Sequence, residues 1–212
     1  MDRIYANRTE AGRLLGKAVR ARIGQEPAVV LGLPRGGVPV AVEVAAALGT
    51  AADVLVVRKV GVPSQPELAM GAVGPGGVTV RNEDVLAMLP GAASRFEAVA
   101  ARERAEVARR ERAFRGTRPP LALAGRSAVL VDDGVATGAT LRAAIAAARA
   151  LGAARVVVAV PVASAEAVAM LEAEADEVIC LEQPAFFMAV GQWYAEFAQV
   201  SDEAVRELLS SA

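Results

Sequence analysis

The chain has 212 residues, of which 54% are hydrophobic, 22% charged and 4% aromatic, and its formal net charge is −1. That length suits one substantial core, the composition is too apolar for a disordered chain, and no run reaches the roughly 18 uninterrupted apolar residues of a membrane span. The near-neutral charge argues against a protein that coats nucleic acid, while a single cysteine, Cys180, and no histidine exclude a Cys/His zinc site, an internal disulfide and any nucleophilic scheme with a histidine base.

The start, Met1-Asp2-Arg3-Ile4-Tyr5, shows no apolar stretch behind its charges, so no secretory signal is expected and the chain reads as cytoplasmic. Asn7 and Glu10 have capping-box spacing for a first helix, with Ala11, Leu14, Leu15, Ala18 and Val19 on one face. Residues 28–33 are a continuous apolar run of strand length, punctuated by Pro34-Arg35-Gly36-Gly37. Helical spacing resumes over 38–48, with Gly49 as its C-terminal cap, and 54–57 is the next buried strand, closing on Arg58-Lys59.

The Gly- and Pro-rich stretch 61–77 is too long for a turn and reads as a mobile or hairpin-like flap. Met70-Gly71-Ala72-Val73 suits a short strand within it, and Val78-Thr79-Val80 suits an edge strand after it. Ser94 and Glu97 predict a second capping box, opening a charged helix that runs to Arg115. Its apolar stripe is thin (Phe96, Val99, Val107, Phe114), with Glu106–Arg110 and Glu111–Arg115 as pairs four apart, so it reads as a surface helix at a sheet edge or against a partner subunit.

Strands are predicted over 128–131, 156–160 and 178–181, and helices over 140–151, 164–173 and from Ser201 onward. The alternation predicts an α/β fold, a Rossmann-like open and mainly parallel sheet flanked by helices. One domain over 1–212 is expected, with a core at 8–182, the flap at 61–77 and a small C-terminal hood at 184–212.

The most informative stretch runs Val129-Leu130-Val131-Asp132-Asp133-Gly134-Val135-Ala136-Thr137-Gly138-Ala139-Thr140. It is a buried strand ending in two carboxylates, then a small-residue loop, then a helix. Ala136, Gly138 and Ala139 let backbone amides approach an anion, while Thr137 and Thr140 add hydroxyl donors and the helix start adds its partial positive charge. Such a loop is built for a phosphate, and Asp132 and Asp133 then suit the vicinal hydroxyls of the sugar that carries it. The competing reading is an Asx-type turn that merely starts a helix.

This stretch resembles the 5-phosphoribosyl-1-pyrophosphate (PRPP) motif of type I phosphoribosyltransferases, matching it at every position. More closely, the chain is similar to bacterial predicted phosphoribosyltransferases that share Leu-Pro-Arg-Gly-Gly, Val-Arg-Lys and Gly-Gln-Trp-Tyr segments. The resemblance implies magnesium-dependent transfer of a 5-phosphoribosyl group from PRPP to a nitrogenous base, with a homodimer as a common family assembly; from charge and hydropathy, no nucleic-acid or membrane partner is expected.

It also implies a pyrophosphate loop at Arg35, Gly36 and Gly37, where family members often carry a cis peptide, and a second pyrophosphate contact at Arg58 and Lys59. Arg35 and Lys59 are the catalytic candidates, offsetting leaving-group charge, with Gln65 and Glu67 as flap residues able to close over the site. Magnesium is expected to be held mainly by substrate, with Asp132 and Asp133 as the protein's candidate contacts. The hood places Phe186, Phe187, Trp193 and Tyr194 at the acceptor base, packing of the lobe being the competing role for each ring. A regulator or sensor that binds PRPP or a nucleotide without turnover is the alternative.

Overall fold

A computed structural model describes residues 5–62, 65–88 and 91–211. Pro63 and Ser64 of the expected flap, and the side chain of Glu67, lie outside what is described. The main sheet comprises β1 (Ala28–Gly32), β2 (Ala52–Val54), β6 (Ser127–Val131), β7 (Arg155–Val162) and β8 (Glu177–Glu182). They lie in the order β2-β1-β6-β7-β8 and every neighbouring pair is parallel.

All five residues of β6 are buried, and seven of the eight in β7, as a sheet covered on both faces requires. Along β6 the side chains alternate between two cores. Val129 and Val131 pack with Leu15, Val19 and Val44 beneath α1 (Arg8–Ile23) and α2 (Gly37–Leu48). Ala128 and Leu130 pack with Leu141, Ile145 and Leu171 beneath α5 (Ala139–Ala150) and α6 (Ala165–Glu172). The expected α/β architecture with a mainly parallel, helix-flanked sheet is therefore what the chain adopts.

Several local expectations hold with their physical cause visible. The Asn7 side chain accepts from the Glu10 amide at 3.0 Å, and the Glu10 carboxylate returns to the Ala6 amide at 2.5 Å. Ser164 and Ser201 cap α6 and α7 (Asp202–Ser210) by accepting from the amides three residues on.

Others change. The strand expected at 54–57 is instead β2, which ends at Val54, and Arg58-Lys59 begin a different sheet. That sheet, β3 (Arg58–Val62), β4 (Gln65–Val73) and β5 (Thr79–Arg81), is antiparallel in the order β3-β4-β5 and accounts for most of the expected flap. A short α3 (Glu83–Ala87), capped by Asn82, adds to the expected elements.

The charged helix α4 (Ala92–Arg115) starts two residues before Ser94, with Gly91 as its N-cap. Ser94 therefore lies inside the first turn and donates its hydroxyl to the Gly91 carbonyl, so the second capping box does not form. The thin stripe is real: Phe96, Val107 and Phe114 are buried against the small sheet and its surroundings. Glu106 pairs with Arg110 at 2.6 Å, but Arg115 leaves Glu111 for Asp53, which it grips through two bonds of 2.9 Å. A bidentate grip on a carboxylate across the fold outcompetes the neighbour four residues back on the same helix.

Candidate functional site

Strand β1 is the point at which chain order reverses: β2 lies on one side of it and β6 on the other. Crevices outside the carboxyl ends of strands at such a reversal are where open parallel sheets bind ligands. Here β1 delivers residues 33–37 and β6 delivers Asp132 and Asp133 to the same place, tied by the Leu33 amide donating to the Val131 carbonyl at 2.8 Å. The Pro34–Arg35 peptide bond is cis.

The two segments touch so closely that glycine is required. A Cβ on Gly36 would lie 2.2 Å from Asp133 Oδ2, and one on Gly37 would lie 2.4 Å from the Val131 carbonyl oxygen. The carboxylates line a cavity of about 480 Å³ together with Arg8, Arg35, Thr140 and Phe197. Asp133 Oδ2 accepts from Arg8 Nε at 2.8 Å, and its main-chain carbonyl accepts from the Tyr194 hydroxyl at 2.5 Å. Asp132 Oδ1 accepts from the Asp133 amide at 2.9 Å.

Burial pushes both acids upward. The neighbouring Asp133 charge raises Asp132 further, well above the usual carboxylate range. For Asp133 the Arg8 guanidinium pulls back against the burial.

The loop between β6 and α5 is held from below: the Val135 amide donates to the Val162 carbonyl at 2.9 Å, and the Ser164 hydroxyl to the Ala136 carbonyl at 2.8 Å. Gly138 sits at φ +74°, a conformation that side chains disfavour, and α5 begins at the next residue with no side-chain cap. Among the described residues no acceptor meets the amides of Thr137, Gly138, Ala139 or Thr140. Ala136, Thr137 and Thr140 are exposed. The four consecutive amides of residues 137–140 are thus unpaired donors at the start of α5 among the described residues.

A larger cavity of about 760 Å³ lies on the other side of this loop, sharing Pro34 and Thr140 with the first and lined also by Thr137, Arg58 and Lys59. Arg58 Nε bonds to Glu103 Oε2 at 2.8 Å. Arg35 reaches Asp202 on α7 at 3.3 Å. Arg35, Gly36 and Gly37 thus stand beside the carboxylates, whereas Arg58 and Lys59 stand across the loop. Gln65 is exposed at the start of β4.

The four hood aromatics are not brought together at either cavity. Trp193 and Tyr194 are buried in a core with Tyr5, Ala11 and Val162, and burial raises the Tyr194 phenol well above its ordinary range. Trp193 Nε1 is buried with no hydrogen-bond partner among the described residues. Phe187 is half-buried, its ring 6.1 Å from that of Trp193, and Phe186 is 77% exposed.

The aromatic that does line the carboxylate cavity is Phe197, stacked on Tyr194 with the Arg8 guanidinium 3.8 Å over its centroid. Sequence reasoning places neither Phe197 nor Arg8 at the site. Phe197 is one more ring in an aromatic tail, and Arg8 carries no motif because its partner lies 125 residues away. No group of three or more metal-binding side chains occurs among the described residues, and no described helix is long and apolar enough to cross a membrane.

Comparison with known proteins follows the same lines. Residues 1–196 match the family described as the phosphoribosyl transferase domain. Two Mycobacterium tuberculosis proteins, from strains CDC 1551 and H37Rv and provisionally named as phosphoribosyl transferases, are each 50% identical over 210 residues, covering 99% of this chain and 47% of theirs. This chain thus spans about half the length of those curated relatives. The crystal structure of TT1426 from Thermus thermophilus is 50% identical, with 98% of each chain covered and a TM-score of 0.91.

Proposed function

The chain belongs to the phosphoribosyl transferase family, and from that premise we propose that it transfers the 5-phosphoribosyl group of PRPP to a nitrogenous base and releases pyrophosphate. The observation that carries this reading is the junction of β1 and β6, where a cradle of unpaired amides, a carboxylate pair and a glycine loop meet. The sugar's 5-phosphate belongs on the amides of 137–140 and its vicinal hydroxyls on Asp132 and Asp133. Arg35, Gly36 and Gly37 then face the pyrophosphate.

Cleavage of the bond between C1 and the pyrophosphate oxygen leaves positive charge on the sugar and negative charge on the leaving group. Arg35 and Lys59 act on the second of these, most effectively in a site that excludes water. The acceptor nitrogen attacks C1 with its own lone pair, so no protein nucleophile is needed. Phe197, with Tyr194 stacked on its ring and Arg8 over its centroid, offers the base an exposed edge beside the carboxylates.

Magnesium fits the donor set as a substrate-held ion. Asp132 and Asp133 are hard oxygen donors whose charge is costly where they sit, and they are the carboxylates nearest the proposed diol. Bound there, the ion supplies compensation for leaving-group charge.

The test is pyrophosphate release from PRPP and magnesium with a panel of purines, pyrimidines and other amines. Turnover with at least one acceptor is expected. Calorimetric binding of PRPP with no turnover on any acceptor would replace the enzyme reading by a sensor.

A further inference from the structure

Asp133 is fixed at three points by three different residues. Its amide donates to Asp132 Oδ1 at 2.9 Å, its carboxylate accepts from Arg8 at 2.8 Å, and its main-chain carbonyl accepts from the Tyr194 hydroxyl at 2.5 Å. The first bond ties the two acids together, so a group that holds the Asp133 main chain orients both carboxylates. Among the described residues, Asp133 Oδ1 and Asp132 Oδ2 accept nothing, which leaves one oxygen of each acid for a ligand.

Tyr194 is itself firmly held. It is 1% exposed and its ring packs on those of Tyr5 and Phe197. On either side of it the main chain is bonded to the N-terminal segment, the Tyr5 amide donating to the Trp193 carbonyl at 3.0 Å and the Ala195 amide to the Tyr5 carbonyl at 2.8 Å. The same lobe closes on the next residue of the carboxylate segment, where a Cβ on Gly134 would lie 2.5 Å from Val190 Cγ1. The peptide between Asp133 and Gly134 is planar, so gripping its oxygen and crowding the following α-carbon sets its orientation.

Tyr5 supplies the comparison. It is buried in the same small core, but its hydroxyl donates to the Pro161 carbonyl of β7 at 2.9 Å and does not touch the carboxylate segment. A buried carbonyl needs a donor in either place. Only the one on Tyr194 also determines where two acids point.

We propose that Tyr194 is a positioning residue for the carboxylate pair, its hydroxyl holding the Asp133–Gly134 peptide so that Asp132 and Asp133 meet the vicinal hydroxyls of the sugar. The proposal rests on the transferase reading for the identity of the ligand, while the geometry that Tyr194 sets exists without one.

The experiment compares Tyr194→Phe with Tyr5→Phe in the full chain, since each deletes one buried hydroxyl and keeps the ring. Both are expected to lower the melting temperature to a similar extent. Only Tyr194→Phe is expected to weaken ribose 5-phosphate binding in calorimetry, about tenfold, and to lower kcat by about tenfold or more with the acceptor's KM unchanged. The carboxyl 13C shifts of Asp132 and Asp133, recorded without ligand, are expected to move in Tyr194→Phe and to stay in place in Tyr5→Phe.

Equal behaviour of the two variants in carbon shifts and in ribose 5-phosphate affinity overturns the proposal and makes the Tyr194 hydroxyl a purely structural group. A wild-type chain that binds no ribose 5-phosphate overturns the transferase reading instead, and the carbon shifts then decide the proposal alone.

Discussion

Arg8, at the first position of α1, holds Asp133 at 2.8 Å through its Nε while its guanidinium lies on the Phe197 ring. One side chain thus joins the N-terminal helix, a proposed ribose carboxylate and the exposed aromatic of the hood. Both partners of the ion pair are largely buried, and removing one partner of such a pair leaves the other charge uncompensated.

Arg8→Ala is therefore expected to lower stability by about 2 kcal/mol where Asp133 is ionised. The penalty shrinks as pH falls, because Asp133, already raised by burial, then takes up a proton. Thermal melts of both proteins across pH measure this. A difference independent of pH contradicts the ion pair's role.

Asp132 is raised in the same direction as Asp133, and its titration acts on the wild-type chain itself. Burial and the Asp133 charge raise its pKa, so the folded chain keeps a proton that the unfolded chain releases, and stability falls as pH rises from the ordinary carboxylate range through the folded value. Asp132→Asn retains an oxygen for the Asp133 amide and escapes that loss. It is expected to be more stable than wild type by about 1 kcal/mol at pH 8 and equal to it in acid. Ribose 5-phosphate binding, followed in the same samples, is expected to disappear. A variant that is less stable at pH 8 would show that Asp132 is structural.

Gly36→Ala drives a methyl group into Asp133 Oδ2, at a Cβ distance of 2.2 Å. Since the carboxylate is held by Arg8, the loop must move, at about 1–3 kcal/mol for an overpacked site. Both ribose 5-phosphate and pyrophosphate should bind more weakly, because one collision displaces parts of both subsites. Calorimetry on the two ligands checks this, and unchanged affinity for both separates the loop from the site.

Phe197→Ala removes the ring edge beside the carboxylates and is expected to raise the acceptor's KM several-fold, an aromatic edge contact of about 0.5–1.5 kcal/mol. Phe186→Ala, at a ring that lines neither described cavity at the site, should leave KM unchanged. Steady-state kinetics with the accepted base distinguishes them, and the reverse pattern would return the acceptor to Phe186.

The parallel sheet was legible because its strands are buried on both faces and so appear as uninterrupted apolar runs, as in Ala128-Val129-Leu130-Val131. The loop between β6 and α5, proposed here to hold the phosphate, stood out because its residues are consecutive and each is small or hydroxylated. What escaped was tertiary. Arg115 chooses Asp53 over Glu111, and Arg8 chooses Asp133, across distances that no local pattern encodes.

The hood failed differently. Trp193 and Tyr194 look alike as stacking platforms and as core residues, and only the packing of Tyr5 against Tyr194 decides that they are core. Arg58-Lys59 looked like a strand end because Leu55, Val56 and Val57 continue the apolar run after β2 has finished.

A crystal structure of the protein with PRPP and magnesium tests the account most directly. The account predicts the 5-phosphate against the amides of residues 137–140, with the ribose hydroxyls within hydrogen-bonding distance of Asp132 and Asp133. A phosphoribosyl group bound elsewhere, with those amides and carboxylates untouched, would contradict it.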